Sequence, residues 1–137
     1  MASPRSPVTV ELEWEGGLRF RGRAGARELK LDGDSASAVS PVESLALSLA
    51  GCMASDLVHI LVKGRVELKG LTARLVAERA PEEPRRLVKV ELRFAVLGAV
   101  PADKVERAIA LSREKYCSVW HSLRTDIAFT TSFDVSP

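Results

Sequence analysis

Residues 40–65 read SPVESLALSLAGCMASDLVHILVKGR, and this stretch decides the fold because it has the pattern of one long helix. Ser40 suits the N-cap, Pro41 fits the first helical position, and Glu43 lies three residues after the cap. A helix of this length spans ~35 Å, the width of a small domain. Apolar residues occur nearly all round it, which predicts a buried helix. They are Val42, Leu45, Leu47, Leu49, Met53, Leu57, Val58, Ile60 and Leu61.

One face of this predicted helix is polar. At 100° per residue its members fall within about 60° of the Cys52 direction. They are Ser48, Cys52, Ser55, Asp56 and His59. On a buried helix each unpaired polar group costs roughly 1–3 kcal/mol, so the stripe needs partners. Another part of the fold, a second subunit or a solvated pocket could supply them, and ordinary hydrogen bonds inside a packed interface would also suffice.

The bulk composition narrows the class of protein. The 137 residues are 46% hydrophobic and 28% charged, which is typical of one soluble domain. A net charge of +2 with no basic cluster among aromatics argues against nucleic acid as a partner. Residues 1–10 have no signal-peptide pattern, and Glu43, Asp56 and His59 interrupt the long helix as a membrane span. We therefore expect no membrane partner and a cytoplasmic location, where the two cysteines start as thiols.

Strand patterns flank the helix on both sides. Residues 8–14 alternate apolar and polar as a half-buried strand, and Gly16-Gly17 signals a hairpin. The next strand carries Arg19, Arg21 and Arg23, which suit pairing with acidic residues across the hairpin. A short strand at 28–31 ends at a turn at 32–33. After the helix, strands are predicted at 71–77 and 88–96 with a turn at 81–84 between them, and a last strand at 127–135.

A second helix begins at Pro101 and reaches Tyr116-Cys117, after which Ser118 is expected to cap a further short turn. Its inner stripe comprises Val105, Ala108, Ile109 and either Leu111 or Ser112. The order of elements predicts an α+β fold in a single domain, 1–137. Its segments are N-terminal strands 1–39, central helix 40–65, strand pair 66–98, second helix 101–123 and C-terminal strand 126–135. Two mostly apolar helices on so few strands also predict a dimer that shares its core.

The two cysteines, Cys52 and Cys117, admit more than one interpretation. Both could be small core hydrophobes, or they could be a peroxidatic thiolate and a resolving thiol. Cys52 lies mid-helix, so a cation from elsewhere would have to lower its pKa. A zinc site from both cysteines, His59 and His121 is disfavoured, because Cys52 and His59 are ~10 Å apart along the helix. We predict no metal and no cofactor.

Two separated segments resemble the signatures of the OsmC/Ohr superfamily, which comprises osmotically inducible protein C and organic hydroperoxide resistance proteins. They are PVESLALSLAGCMASDLVHILVKGR and EKYCSVWHSL. The run around Cys52, the K-G-R after the helix and E-K-Y-C-S-V are most similar to the YhfA-like branch. The resemblance extends along nearly the whole chain and implies antiparallel sheets wrapped around two central helices in an intertwined homodimer.

The resemblance also implies an activity, which is the reduction of small-molecule organic hydroperoxides at two sites between the subunits. In such a thiol-dependent peroxidase Cys52 would attack the peroxide, Cys117 would resolve the product as a disulfide, and a dithiol or lipoyl reductant would restore the thiols. Family members pair an arginine with a glutamate beside the thiolate. Val42 stands where the family has that glutamate, which leaves Glu43 as the candidate, and Arg21, with Arg19 and Arg23, is the candidate arginine.

Two other functions stay open at this stage. One is a non-catalytic OsmC-like dimer that binds an apolar or electrophilic small molecule. The other is a redox sensor in which a Cys52–Cys117 disulfide alters the dimer without turnover.

Overall fold

The computed structural model describes residues 6–137, in two compact units. The N-terminal unit ends at Leu45, and the C-terminal unit comprises Ala46–Pro137. The first five residues of the predicted segment 1–39 lie outside the described residues. That the two units act as a single domain stays a prediction.

The N-terminal unit is a three-stranded antiparallel sheet in the order β1-β2-β3, formed by β1 (Glu11–Trp14), β2 (Arg19–Ala24) and β3 (Arg27–Asp32). The predicted hairpin is confirmed: Gly16 and Gly17 have φ of 103° and 58°, which glycine adopts without strain. The first strand differs from the expectation. It starts only at Glu11, and all four of its residues are exposed.

Of the three arginines predicted to pair across the hairpin, Arg21 does so, whereas Arg23 pairs with the third strand and Arg19 donates to backbone carbonyls. Arg21 lies opposite Glu13 and contacts it at 3.3 Å, and Arg23 contacts Glu28 at 3.3 Å. Lys30 adds a pair with Glu15 at 2.9 Å. These pairs are solvent-exposed, so each contributes little to the free energy of folding.

Helix α1 runs from Pro41 to Lys63, and its predicted cap is confirmed. The Ser40 hydroxyl accepts the Glu43 N–H at 3.1 Å, while the Glu43 carboxylate accepts the Ser40 N–H at 2.8 Å. Burial differs from the expectation, because only the stripe formed by Leu49, Met53, Leu57 and Leu61 is buried. Leu47 and Val62 remain 61% and 57% exposed, because they do not lie in the row of residues four apart that faces the core.

Within the described residues, α1 is the one helix long and apolar enough to cross a membrane by length and composition. Its buried stripe nevertheless packs in the core of the C-terminal unit.

The C-terminal unit contains a sheet in the order β4-β5-β6, formed by β4 (Leu68–Arg79), β5 (Leu87–Gly98) and β6 (Ala128–Ser136). The α+β class is confirmed. One pairing differs from the antiparallel sheets expected: β6 runs parallel to β5, because the chain returns through a helical crossover. Alternate residues of β5 form the centre of the core with the buried stripe of α1. They are Val90, Leu92, Phe94 and Val96.

The predicted second helix, 101–123, is interrupted. It comprises α2 (Ala102–Leu111), a π-helical turn (Ser112–Tyr116) and the short α3 (Ser118–His121). Of the two alternatives for the last position of the inner stripe, Ser112 is fully buried and Leu111 is only half-buried. Ser118 was expected to cap the last turn, and this is wrong. The cap is Cys117, because its extended backbone lets its sulfur accept the Trp120 N–H.

Candidate thiol site

Cys52 and Cys117 reach the same place from two different elements of the C-terminal unit. Cys52 is half-buried on α1, next to the core residue Met53. Cys117 ends the π-helical turn, where its N–H donates to the Ser112 carbonyl at 2.8 Å. Single π turns inside helices are frequent at functional sites, and here the turn directs Cys117 inward, with none of its surface exposed.

The two thiols are free and interact with each other. Both cysteines are unbridged, both belong to or pack against the same core cluster, and Cys52 lies close enough to Cys117 to raise its pKa. The sequence offered these residues as candidates, and only the fold brings them together. A pair of thiols in contact can exchange between the dithiol and the disulfide if the local geometry permits a bond.

A carboxylate and a hydroxyl lie beside the thiol pair. Asp56 is one helical turn after Cys52, and its Oδ2 accepts the Ser112 hydroxyl at 2.7 Å. Ser112 is fully buried and Asp56 is half-buried. The polar stripe on α1 included Asp56, but its partner was not predictable, because Ser112 was identified only as an alternative to Leu111 in the inner stripe.

The environment of Cys117 favours the thiol over the thiolate. Burial raises the pKa of Cys117 to about 11, although the Trp120 N–H, at 3.4 Å from the sulfur, favours the charged form and opposes this. The neighbouring Cys52 thiol and the negative charge of Asp56 raise the pKa further. The thiol form of Cys117 is therefore favoured at neutral pH.

An aromatic cluster includes Trp120, whose backbone N–H donates to the Cys117 sulfur. The Trp120 ring lies 4.4 Å from the Phe129 ring, measured between centroids, and the Arg113 guanidinium lies 4.8 Å from the Phe129 centroid. The cluster therefore fixes α3, and with it the Trp120 N–H that faces Cys117.

Two other members of the predicted polar stripe, Ser55 and His59, lie on the exposed side of the helix. Ser55 donates to the Gly51 carbonyl of its own helix at 2.7 Å, and His59 is exposed. His121, also exposed, has its Nε2 3.0 Å from the Arg113 carbonyl oxygen. Across residues 6–137, no three or more His, Cys, Asp and Glu side chains are grouped as a metal ion would require.

The two remaining candidate residues, Glu43 and Arg21, belong to the N-terminal unit. Glu43 accepts hydrogen bonds from the Ser35 hydroxyl and the Ser40 N–H, which hold its pKa below the ordinary value. Arg21 pairs with Glu13, and its Nε is buried with no hydrogen-bond partner in the part of the chain that the structure describes. Their predicted roles at the thiolate stay predictions.

Comparison with known proteins gives consistent results. The family model for OsmC-like protein matches residues 32–132. Protein YhfA of Escherichia coli strain K12 is 39% identical over 131 residues, which cover 93% of this chain and 98% of YhfA. The crystal structure of a hypothetical protein from Aquifex aeolicus is 28% identical, with a TM-score of 0.89 and coverage of 96% of this chain and 98% of that one.

An organic hydroperoxide resistance protein OsmC from Legionella pneumophila has the same fold. Its TM-score is 0.72 at 16% identity, over 97% of this chain and 100% of that one. The family match over most of the chain and the identity to YhfA agree with the resemblance in the two cysteine segments. The chain belongs to the OsmC-like protein family.

Proposed function

We propose that the protein is a thiol-dependent peroxidase that reduces small organic hydroperoxides for defence against oxidative stress. The observation that carries the proposal is that two free thiols from different elements, Cys52 and Cys117, meet in one core cluster, close enough for Cys52 to raise the pKa of Cys117. Family membership supports it, since the Legionella relative is named an organic hydroperoxide resistance protein. The fold alone would not suffice, because one fold can host several functions.

The proposed reaction has three balanced steps. The Cys52 thiolate attacks the outer peroxide oxygen, the O–O bond breaks, and the leaving alkoxide takes a proton to give an alcohol and the Cys52 sulfenic acid. The Cys117 sulfur then attacks the Cys52 sulfur, and the displaced hydroxide takes the Cys117 proton to leave as water. A dithiol such as dihydrolipoamide reduces the disulfide and becomes a cyclic disulfide itself.

The difference between the two thiols supports this division of roles. Cys117 has a raised pKa and no exposed surface, so it is a poor nucleophile toward a peroxide from solution. Cys52 is half-buried and therefore the more accessible sulfur. The thiolate that attacks the peroxide is accordingly assigned to Cys52.

The cation that would stabilise this thiolate is assigned to Arg21. The support is the free Nε of Arg21, because a guanidinium normally donates from every buried N–H. Glu43, whose carboxylate already accepts hydrogen bonds at the start of α1, is assigned to capping. Replacement of Arg21 by glutamine should slow Cys52 oxidation, whereas the same change at the more exposed Arg23 should not.

The decisive experiment measures peroxide loss with cumene hydroperoxide and dihydrolipoamide. Wild-type protein should consume peroxide continuously, and Cys52→Ser should not consume it above the rate of reductant alone. Cys117→Ser should form one equivalent of sulfenic acid, trapped with dimedone, and then depend on external thiol. Equal peroxide loss by wild type and Cys52→Ser would refute the proposal.

A cytoplasmic homodimer is the proposed working form, with the thiols starting reduced. The apolar residues of α1 that one chain leaves exposed, Leu47, Val58 and Val62, support an interface between copies. Light scattering should give twice the 14.9 kDa of one chain, and replacement of Leu47 by glutamate should reduce that mass. Neither nucleic acid nor membrane is proposed as a partner.

A second candidate function is the binding of an apolar small molecule. A groove of about 850 Å³ runs along α1, with Val58, Val62 and Leu71 in its lining and His59 and Lys63 among its polar groups. If this is the function, native mass spectrometry should detect a co-purified ligand, and the thiols should resist peroxide. A dimer that covers the groove would instead leave it empty of ligand.

A further inference from the structure

The side chains of Asp56 and Ser112 connect the two segments that carry the thiols. Asp56 follows Cys52 by four residues on α1, so the two side chains share a helix face. Ser112 precedes Cys117 by five residues, and its carbonyl accepts the Cys117 N–H at 2.8 Å. The Ser112–Asp56 hydrogen bond of 2.7 Å therefore joins the same two segments as the thiol contact, about one turn away.

This bond is of a kind that fixes geometry. Its acceptor is a carboxylate, and hydrogen bonds to ionised groups are shorter and stronger than those between neutral groups. Its donor is fully buried, so loss of the acceptor would leave the Ser112 hydroxyl without water to replace it. Asp56 is mid-helix and Ser112 starts the π-helical turn, so neither residue caps a helix through this bond.

We propose that Asp56 and Ser112 are positioning residues that hold Cys117 against Cys52, and that their hydrogen bond sets how readily the two thiols form a disulfide. The proposal rests on the proposed function only where it concerns the resolving step after peroxide attack. Neither residue is assigned contact with the peroxide. Loss of the bond lets the Cys117 turn move relative to α1 and lowers the effective concentration of one thiol at the other.

An equilibrium with glutathione tests this without any peroxide. The protein dithiol and oxidised glutathione exchange to give the protein disulfide and two reduced glutathiones, and the disulfide fraction is read by thiol-specific mass tags. Asp56→Ala and Ser112→Ala should each lower the equilibrium constant for disulfide formation about tenfold, a potential about 30 mV less reducing. Because both substitutions remove the same hydrogen bond, the equilibrium constant of the double variant should fall no further than that of either single variant.

Two further variants separate position from charge and from general damage. Asp56→Asn keeps an oxygen that can accept a hydrogen bond from the Ser112 hydroxyl, so its equilibrium constant for disulfide formation should fall about threefold or less. Ser55→Ala removes a hydroxyl from the residue just before Asp56, which donates to the Gly51 carbonyl of its own helix. Its equilibrium constant for disulfide formation should match that of wild type. If Asp56→Ala fails to fold, Ser112→Ala, which removes a single oxygen, carries the test alone.

Wild-type equilibrium constants in folded Asp56→Ala and Ser112→Ala, or additive losses in the double variant, would overturn the inference. With hydroperoxide, sulfenic acid formation at Cys52 should keep its rate in both variants while disulfide formation slows about tenfold. Overoxidised Cys52 should then accumulate. If the variants have a lowered equilibrium constant for disulfide formation but the wild-type protein does not consume peroxide, the positioning role is supported and the peroxidase function is refuted. If the variants keep the wild-type equilibrium constant and the wild-type protein consumes peroxide, the positioning role is refuted and the peroxidase function is supported.

Discussion

Replacement of Ser40 by alanine removes one half of the reciprocal cap at the start of α1. In the structure the Ser40 hydroxyl accepts the Glu43 N–H at 3.1 Å, and alanine leaves that N–H without its acceptor. Loss of a serine N-cap costs about 1 kcal/mol of unfolding free energy. For a chain of this length that corresponds to a fall in Tm of about 4 °C. In the variant the Glu43 carboxylate can still accept the backbone N–H of residue 40, so α1 shortens at its N-terminus and does not unfold.

Thermal and urea unfolding followed by circular dichroism measure this effect. Ser122→Ala is the matched control, because its exposed hydroxyl donates only to the Ser118 carbonyl, and its unfolding free energy should stay within about 0.5 kcal/mol of wild type. Glu43→Gln should keep the rate of Cys52 oxidation and lower Tm by no more than Ser40→Ala does, since an amide oxygen can also accept the Ser40 N–H but lacks the charge that the hydrogen bonds to Glu43 favour. An unchanged Tm in Ser40→Ala would refute the contribution of the Ser40 cap, and a folded Glu43→Gln protein that loses Cys52 oxidation would refute the assignment of Glu43 to capping.

Three other outcomes follow from burial and charge. Burial raises the pKa of Cys117, so in a folded Cys52→Ser protein the thiolate absorbance at 240 nm should appear only at a pH well above the ordinary cysteine pKa. In urea the same thiol should titrate at the ordinary pKa. An ordinary pKa in the folded state would contradict the burial of Cys117. The N–H groups of Ser37 and Asp34 and the Ser37 hydroxyl lower the pKa of Asp32 to about 2, so its stabilisation is complete above the unfolded pKa and lost as pH falls toward 2. The difference in unfolding free energy between wild type and Asp32→Asn should therefore shrink between about pH 5 and pH 2, and a difference independent of pH would contradict the hydrogen bonds seen. Phe94→Ala, in the centre of the core, should lose about 3–5 kcal/mol in urea unfolding, whereas Val76→Ala, on the exposed face of β4, should lose far less, and equal losses would refute the core assignment.

The sequence alone determined the elements that depend on neighbours in the chain. The S-P-V-E start of α1 predicted a capping box, and both of its hydrogen bonds are present. Alternation predicted the strands, and Gly16-Gly17 predicted the hairpin, because these patterns reflect backbone conformation and burial over a few residues. The cysteine segments also identified the family, which the comparisons confirm.

Features that join distant residues were decided only by the tertiary structure. The parallel pairing of β6 with β5 depends on the path of the crossover, which local patterns do not encode. Periodicity could not choose between Leu111 and Ser112, because the chain changes from α to π geometry at Ser112 and shifts the inward face there. The bond from Ser112 to Asp56 spans 56 positions, and the contact of Cys52 with Cys117 spans more. Such pairs form where two packed elements happen to meet, and the order of residues along either element says nothing about that meeting point.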